Sequence, residues 1–196
     1  MTQSWFSPPN LIKLKSDIEL LAKDYVDKML DSGSECDFVN DISALYPLRV
    51  IMNILGVPPE DESLMLKLTQ QLFGGNDEDM KRSEEESIDS NVIADFFNYF
   101  TALTEERRKN PTEDVATVIA NANFKGEQIG HLEAMSYYTI IATAGHDTTS
   151  SSTAGGVLAL IENPDQLKKL KENPSLMPMA VDCLLYTSPS PRDGLL

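Results

Sequence analysis

The chain has 196 residues, 41% of them hydrophobic, which is enough for the core of one ordinary domain and too much for wholesale disorder. Lys and Arg number 16 against 31 Asp and Glu, and the resulting formal net charge of −15 argues against a nucleic-acid surface or a polybasic membrane patch. Two cysteines, Cys36 and Cys183, cannot build a disulfide framework or a zinc ribbon. No apolar run reaches the roughly 18 residues of a membrane span. Met1 to Phe6 lacks the basic and apolar regions of a secretory signal, so a reducing cytoplasm is the expected location.

The pattern is helical nearly throughout, and the expected fold class is mainly α. Leu11, Leu14, Ile18, Leu21, Tyr25 and Met29 step by three or four, the period of one helix face, between Pro8-Pro9 and Ser32-Gly33. Ile42, Leu45, Leu48, Ile51, Met52 and Leu55 form a second run that Gly56 stops. Leu64 to Phe73 form a third, ending at Gly74-Gly75. Residues 76 to 87 carry Asp77-Glu78-Asp79 and Glu84-Glu85-Glu86 and read as a solvated loop with a charged helix start. Val92, Ile93, Phe96, Phe97, Phe100 and Leu103 mark a fourth helix, closed by the cations Arg107, Arg108 and Lys109. Thr112-Glu113-Asp114 predicts the capped start of a short fifth.

From about 130 to 161 there is no proline, which predicts one long helix of roughly 30 residues. Asn163-Pro164-Asp165-Gln166 restarts a helix, with Asn as N-cap and Gln as its capping-box partner. Another begins near Leu176 and carries Met179, Ala180 and Leu184. No period-2 strand is legible. Tyr186 to Leu196, with Pro189 and Pro191, breaks the pattern, so 183–196 is expected to be a non-native or disordered tail.

The informative stretch lies inside the long helix. Ala144, Gly145, His146, Asp147, Thr148 and Thr149 interrupt an otherwise apolar segment, and every side chain from Asp147 to Thr153 carries a hydroxyl or a carboxylate. Glycine in a helix interior costs about 1 kcal/mol against alanine. Serine and threonine there compete for backbone hydrogen bonds, and a buried carboxylate is costly unless paired. Such local inconsistency marks a functional site. The physical reading is a kink that opens a groove. Ala144 and Gly145 remove side-chain bulk so that a flat ligand or a diatomic approaches the backbone. Thr148 offers a hydroxyl, and Asp147 hands over protons from solvent.

At these residues the chain resembles the cytochrome P-450 family of haem-thiolate monooxygenases, whose distal helix carries Ala/Gly-Gly-x-Asp/Glu-Thr-Thr/Ser. Asn163-Pro164-Asp165-Gln166, Ile54-Leu55-Gly56-Val57-Pro58-Pro59, Phe6-Ser7-Pro8 and Cys36-Asp37-Phe38-Val39 look like further family segments. The motif is similar to that of soluble bacterial terpineol-type hydroxylases. The resemblance implies a partial domain over 1–182, the central helical part of that fold. It implies that Thr148 is the distal alcohol beside dioxygen, Asp147 the relay acid, and Ala144 and Gly145 the wall of the haem and oxygen groove. Ile141, Thr143 and Thr149 become substrate-pocket candidates, with Ile140 ranked last, and Phe96 and Phe100, most simply core by their spacing, become candidates for the roof of the pocket. The complete enzyme would use haem b, dioxygen, a small apolar substrate, and electrons from NAD(P)H through a reductase and a ferredoxin.

The departures are as informative. The family's axial ligand is a Cys on a glycine-rich loop, and neither Cys36 nor Cys183 has that setting. Where Glu-x-x-Arg should start after Asp182, Cys183 stands instead. The chain is expected to be an internal fragment, without a metal ligand of its own and inactive by itself. Other readings stay open. One is a non-catalytic helical binding or scaffold domain. Another is a magnesium-dependent lyase built on Asp77-Glu78-Asp79. A third takes Asp147 as the cap of a second helix that begins mid-segment. A His146-Asp147 metal site is disfavoured because the only other histidine is His131.

Overall fold

The first helix starts earlier than its apolar stripe. Ser7 takes extended backbone (φ −73°, ψ 150°), and Pro8 and Pro9 occupy the first turn, where a missing N–H costs nothing. The structure, a computed structural model, describes residues 2, 5–73, 92–124 and 126–187. Helix α1 spans Pro8–Asp31, and Tyr25 is its one buried residue, meeting Tyr46 edge-on at 5.7 Å between ring centroids. The other members of its stripe are half-buried or exposed.

The second apolar run splits in two. A π-helical turn covers Phe38–Ser43, opened by Asp37, whose carboxylate accepts from Asn40 N at 3.0 Å. Helix α2 follows over Leu45–Leu55 and ends at Gly56 in the left-handed region (φ 74°). A Cβ at Gly56 would overlap the Asp114 carboxylate, so only glycine satisfies both the backbone and the packing. Helix α3 spans Glu62–Phe73 and α4 spans Val92–Lys109. The acidic stretch 76–87 lies outside the described residues.

Helix α5, Val115–Ala120, is capped as expected: Asp114 accepts from Thr117 N at 2.7 Å. The same carboxylate takes Arg107 Nε at 2.6 Å, while Arg107 Nη2 donates to Gly56 O at 2.7 Å. Burial alone would raise the Asp114 carboxyl, but the bonds from Thr112, Thr117 and Arg107 outweigh it and hold it below its ordinary range. One element has no counterpart in the sequence reading. A two-stranded hairpin, β1 Asn123–Phe124 and β2 Glu127–Gln128, pairs antiparallel around Gly126 (φ 89°). Strands this short leave no alternation to detect.

The core gathers where α2 to α5 meet one further helix. Helix α6 spans His131–Ala144. Leu48, Met52 and Leu55 meet Met65 and Leu68, Phe96 and Phe100, Val115 and Ile119, and Met135 and Tyr138. Phe100 stacks on Tyr138 at 4.7 Å with 17° between the rings. The Tyr138 hydroxyl is satisfied, accepting from Thr104 Oγ1 at 3.1 Å and donating to Ala116 O at 3.2 Å.

The expected single helix over 130–161 is two helices. Helix α6 stops at Ala144, and α7 runs over Asp147–Glu162. The kink expected at Ala144-Gly145 is a full stop, as in the alternative reading of a second helix from Asp147, and its causes are tertiary contacts of Gly145 and His146 described below. The capping box at Asn163 is also not formed. Helix α8, Pro164–Glu172, has no side-chain cap, because Asn163 turns its amide back to Ala159 O at 2.8 Å and closes α7 instead. Helix α9, Met177–Thr187, takes in Cys183 and the next four residues of the expected tail, and 188–196 lie outside the described residues.

Candidate functional site

The break between α6 and α7 is made by two adjacent residues. Gly145 presses against α2: a Cβ there would lie 2.6 Å from Ile51 Cδ1. Its missing side chain is therefore filled from inside the molecule, by Ile51, and Ala144 is the residue of the pair that lies open. His146 turns inward, 5% exposed, and its Nε2 sits 2.9 Å from Ala44 O. A carbonyl only accepts, so Nε2 carries the proton in this contact. The helical ladder lapses here. His146 N reaches back three residues to Thr143 O at 3.4 Å, and Ser150 N opens the new ladder on His146 O at 2.9 Å.

The break leaves Asp147 and Thr148 exposed in the first turn of α7, next to exposed Ala144. Asp147 thus sits at the positive end of the α7 dipole. Thr148 Oγ1 donates to Ala144 O at 3.5 Å, at the limit of a hydrogen bond. Other threonines on this axis are held tightly: Thr139 Oγ1 on Met135 O at 2.9 Å, Thr143 on Thr139 O and Thr153 on Thr149 O, both at 2.7 Å. Of these hydroxyls Thr148 is the one most free to turn to another acceptor.

The pocket candidates divide. Thr149 is exposed beside Thr148, whereas Thr143 is half-buried with its hydroxyl committed to Thr139 O. Ile141 is half-buried and packs against the core. Phe100 is fully buried against Tyr138, so it supports the core rather than an open surface. Phe96 reaches a hollow of about 340 Å³ with Leu72, Ile93, Phe97, Ser136, Thr139 and Ile140. Ile140, ranked last on helix geometry, thus lines an apolar hollow between α3, α4 and α6, and is 62% exposed. His146 had no local signal, because its partner lies 102 positions away. A larger cleft of about 840 Å³ lies elsewhere, between α1, α2 and the start of α5.

A haem held through an iron–sulfur bond needs a thiolate facing this wall. The two cysteines are both exposed. Cys36 lines a small hollow with Lys28, Met29 and Asp41, and Cys183 lies on α9. Among the described residues there is no group of three His, Cys, Asp or Glu side chains that could hold a metal ion. The described residues therefore offer one wall for a flat group and no axial donor for it, and do not by themselves fit a haem iron.

No family model matches the chain. Individual proteins do. The chain is 42% identical to cytochrome P450-terp of Pseudomonas, over 96% of this chain and 46% of that protein. It is 30% identical to a steroid C26-monooxygenase of Mycobacterium tuberculosis, over 89% and 47% of the two chains. The crystal structure of CYP108D1 from Novosphingobium aromaticivorans superposes with a TM-score of 0.80 at 47% identity, covering 94% of this chain and 43% of that one. No helix among the described residues is long and apolar enough to cross a membrane. In sequence the chain is similar to cytochromes P450 and it has their fold, spanning a little under half the length of the members it matches.

Proposed function

We propose that this chain supplies the oxygen-side segment of a haem monooxygenase that hydroxylates a small apolar, terpenoid-like substrate, with electrons from NAD(P)H through a reductase and a ferredoxin. The segment by itself does not hold haem stably and is inactive. The carrying observation is the helix break, which sets a loosely held hydroxyl, Thr148, beside an exposed carboxylate, Asp147. Likeness to cytochrome P450-terp supports the substrate class.

The roles follow from the chain's own groups. Thr148 Oγ1 leaves Ala144 O and donates its proton toward a ligand bound along the exposed face. Asp147, open to water and at a helix N-terminus, resupplies that proton through solvent. Ala144 keeps the face free of bulk. Phe96 and Ile140 offer an apolar wall one turn away.

The test is an exchange of segments. Residues 5–182 replace the matching stretch of cytochrome P450-terp, and the product is assayed for hydroxylation of a terpene alcohol per NADH consumed. Product is expected. Thr148→Ala and Asp147→Asn in the exchanged protein should each lower the product yield by about 10²-fold, the scale of a lost general acid. A folded, haem-loaded exchange product with no turnover, or one indifferent to both substitutions, overturns the reading.

A further inference from the structure

We propose that His146 is a positioning residue: its Nε2–H bond to Ala44 O sets where α7 resumes and how it is turned, and so aims Asp147 and Thr148 outward. The inference deepens the proposed function and rests on that reading for its catalytic meaning.

Three observations carry it. First, His146 is buried although Ala144 before it and Asp147 after it are exposed. An imidazole in a mostly exposed segment goes inward only for a partner, and Ala44 O at 2.9 Å is that partner. Second, the acceptor is itself at a junction. Ala44 ends the π-helical turn, its N–H bonded to Val39 O at 2.9 Å, and stands at the start of α2. The bond thus ties the start of α7 to the start of α2. Third, the same residue begins the new ladder, since Ser150 N bonds His146 O.

The geometry then fixes the aim. Successive helical residues advance by about 100°. With His146 held inward, Asp147 stands about 100° away and Thr148 about 200° away, nearly opposite. Both are exposed in the structure, and Ser150, which returns to the inward side, is half-buried. The contact of Gly145 with Ile51 sets how closely the break approaches α2, but a glycine has no side chain to set rotation. That falls to His146. Removing its donor would leave a buried carbonyl less well satisfied and free the first turn of α7 to rotate or fray.

The experiment compares His146→Gln, which keeps an N–H donor at similar reach, with His146→Leu, which keeps volume and loses the donor. Amide hydrogen exchange is measured on the chain as it stands, without haem or substrate. The reporters are Ser150 and the amides following it in α7, with Thr117, bonded to Asp114 in a distant cap, as internal control. In the unsubstituted chain, ¹⁵N spectra should show a protonated Nε2. His146→Leu should speed exchange at Ser150 by about tenfold, the equivalent of one lost hydrogen bond, and leave Thr117 within about twofold. His146→Gln should restore most of the protection. Equal exchange in the Leu and Gln variants would mean that only volume matters and would overturn the proposal, as would a parallel rise at Thr117, which reports global destabilisation. Because the readout needs no iron or oxygen, it separates this proposal from the oxygenase reading. Protection by His146 can hold while the exchanged enzyme is inactive, and the reverse.

Discussion

Helices α2 and α7 are both apolar in long stretches, yet they live differently. Of the eleven residues of α2, six are buried: Pro47, Leu48, Arg49, Met52, Ile54 and Leu55. Of the sixteen of α7, only Gly156 is, where Leu184 of α9 lies over it. Leu158 and Ile161 on α7, and Met177, Met179, Val181 and Leu185 on α9, stand exposed. Local pattern makes both helices. Burial depends on whether a partner is there to meet the face, and α2 has α3, α5, α6 and the π-helical turn around it. The difference teaches that an apolar stripe predicts an element well and its energetic weight poorly.

Substitutions can break that contrast, beginning with the largest expected effect. Phe100→Ala should cost about 3–5 kcal/mol, because it empties the stack on Tyr138 in the packed half; urea unfolding monitored by circular dichroism reads it. Gly56→Ala should cost about 1–3 kcal/mol in the same assay, since the new Cβ meets Asp114 and the residue must hold a positive φ. A smaller effect is expected from acid. The Asp114 carboxyl titrates below its ordinary range in the folded chain, so its contribution is present above the unfolded pKa and lost as pH falls through the folded one. Denaturation midpoints should therefore fall as pH drops below the ordinary carboxylate range, and Asp114→Asn should flatten that part of the profile. Least of all, Leu158→Ser on the open face of α7 should change stability by about 0.5 kcal/mol or less. A cost near that of Phe100→Ala would show that α7 is packed in solution, and the contrast would fail.

Much of this architecture was legible in the sequence. Gly56 stops α2, Asp114 caps α5, and α4 ends on its cations, all through contacts within a few residues. The failures have two causes. Asn163 has two local partners available, the next helix or the previous one, and spacing cannot choose between them. The stop at Gly145-His146 depends on Ile51 and Ala44, about a hundred positions upstream, so no window of the sequence contains both sides of it. The site shows the same division. The chemistry of Asp147 and Thr148 could be read from their types and order. That Gly145 is filled by Ile51 needed the neighbours.

The His146 bond also bears on the order of events in folding. It closes a loop of 102 positions, whereas α6 and α7 each need only contacts three and four residues apart. Helices form in about a microsecond, while a long loop must first meet its entropic closure cost. Both arms of the bend should therefore exist before the angle between them does. During synthesis Ala44 leaves the ribosome long before His146, so the anchor can be waiting when the bend emerges. The part of the chain that aims Asp147 and Thr148 is thus built early and far upstream, and a fault in α2 should reach them without touching a residue of α7.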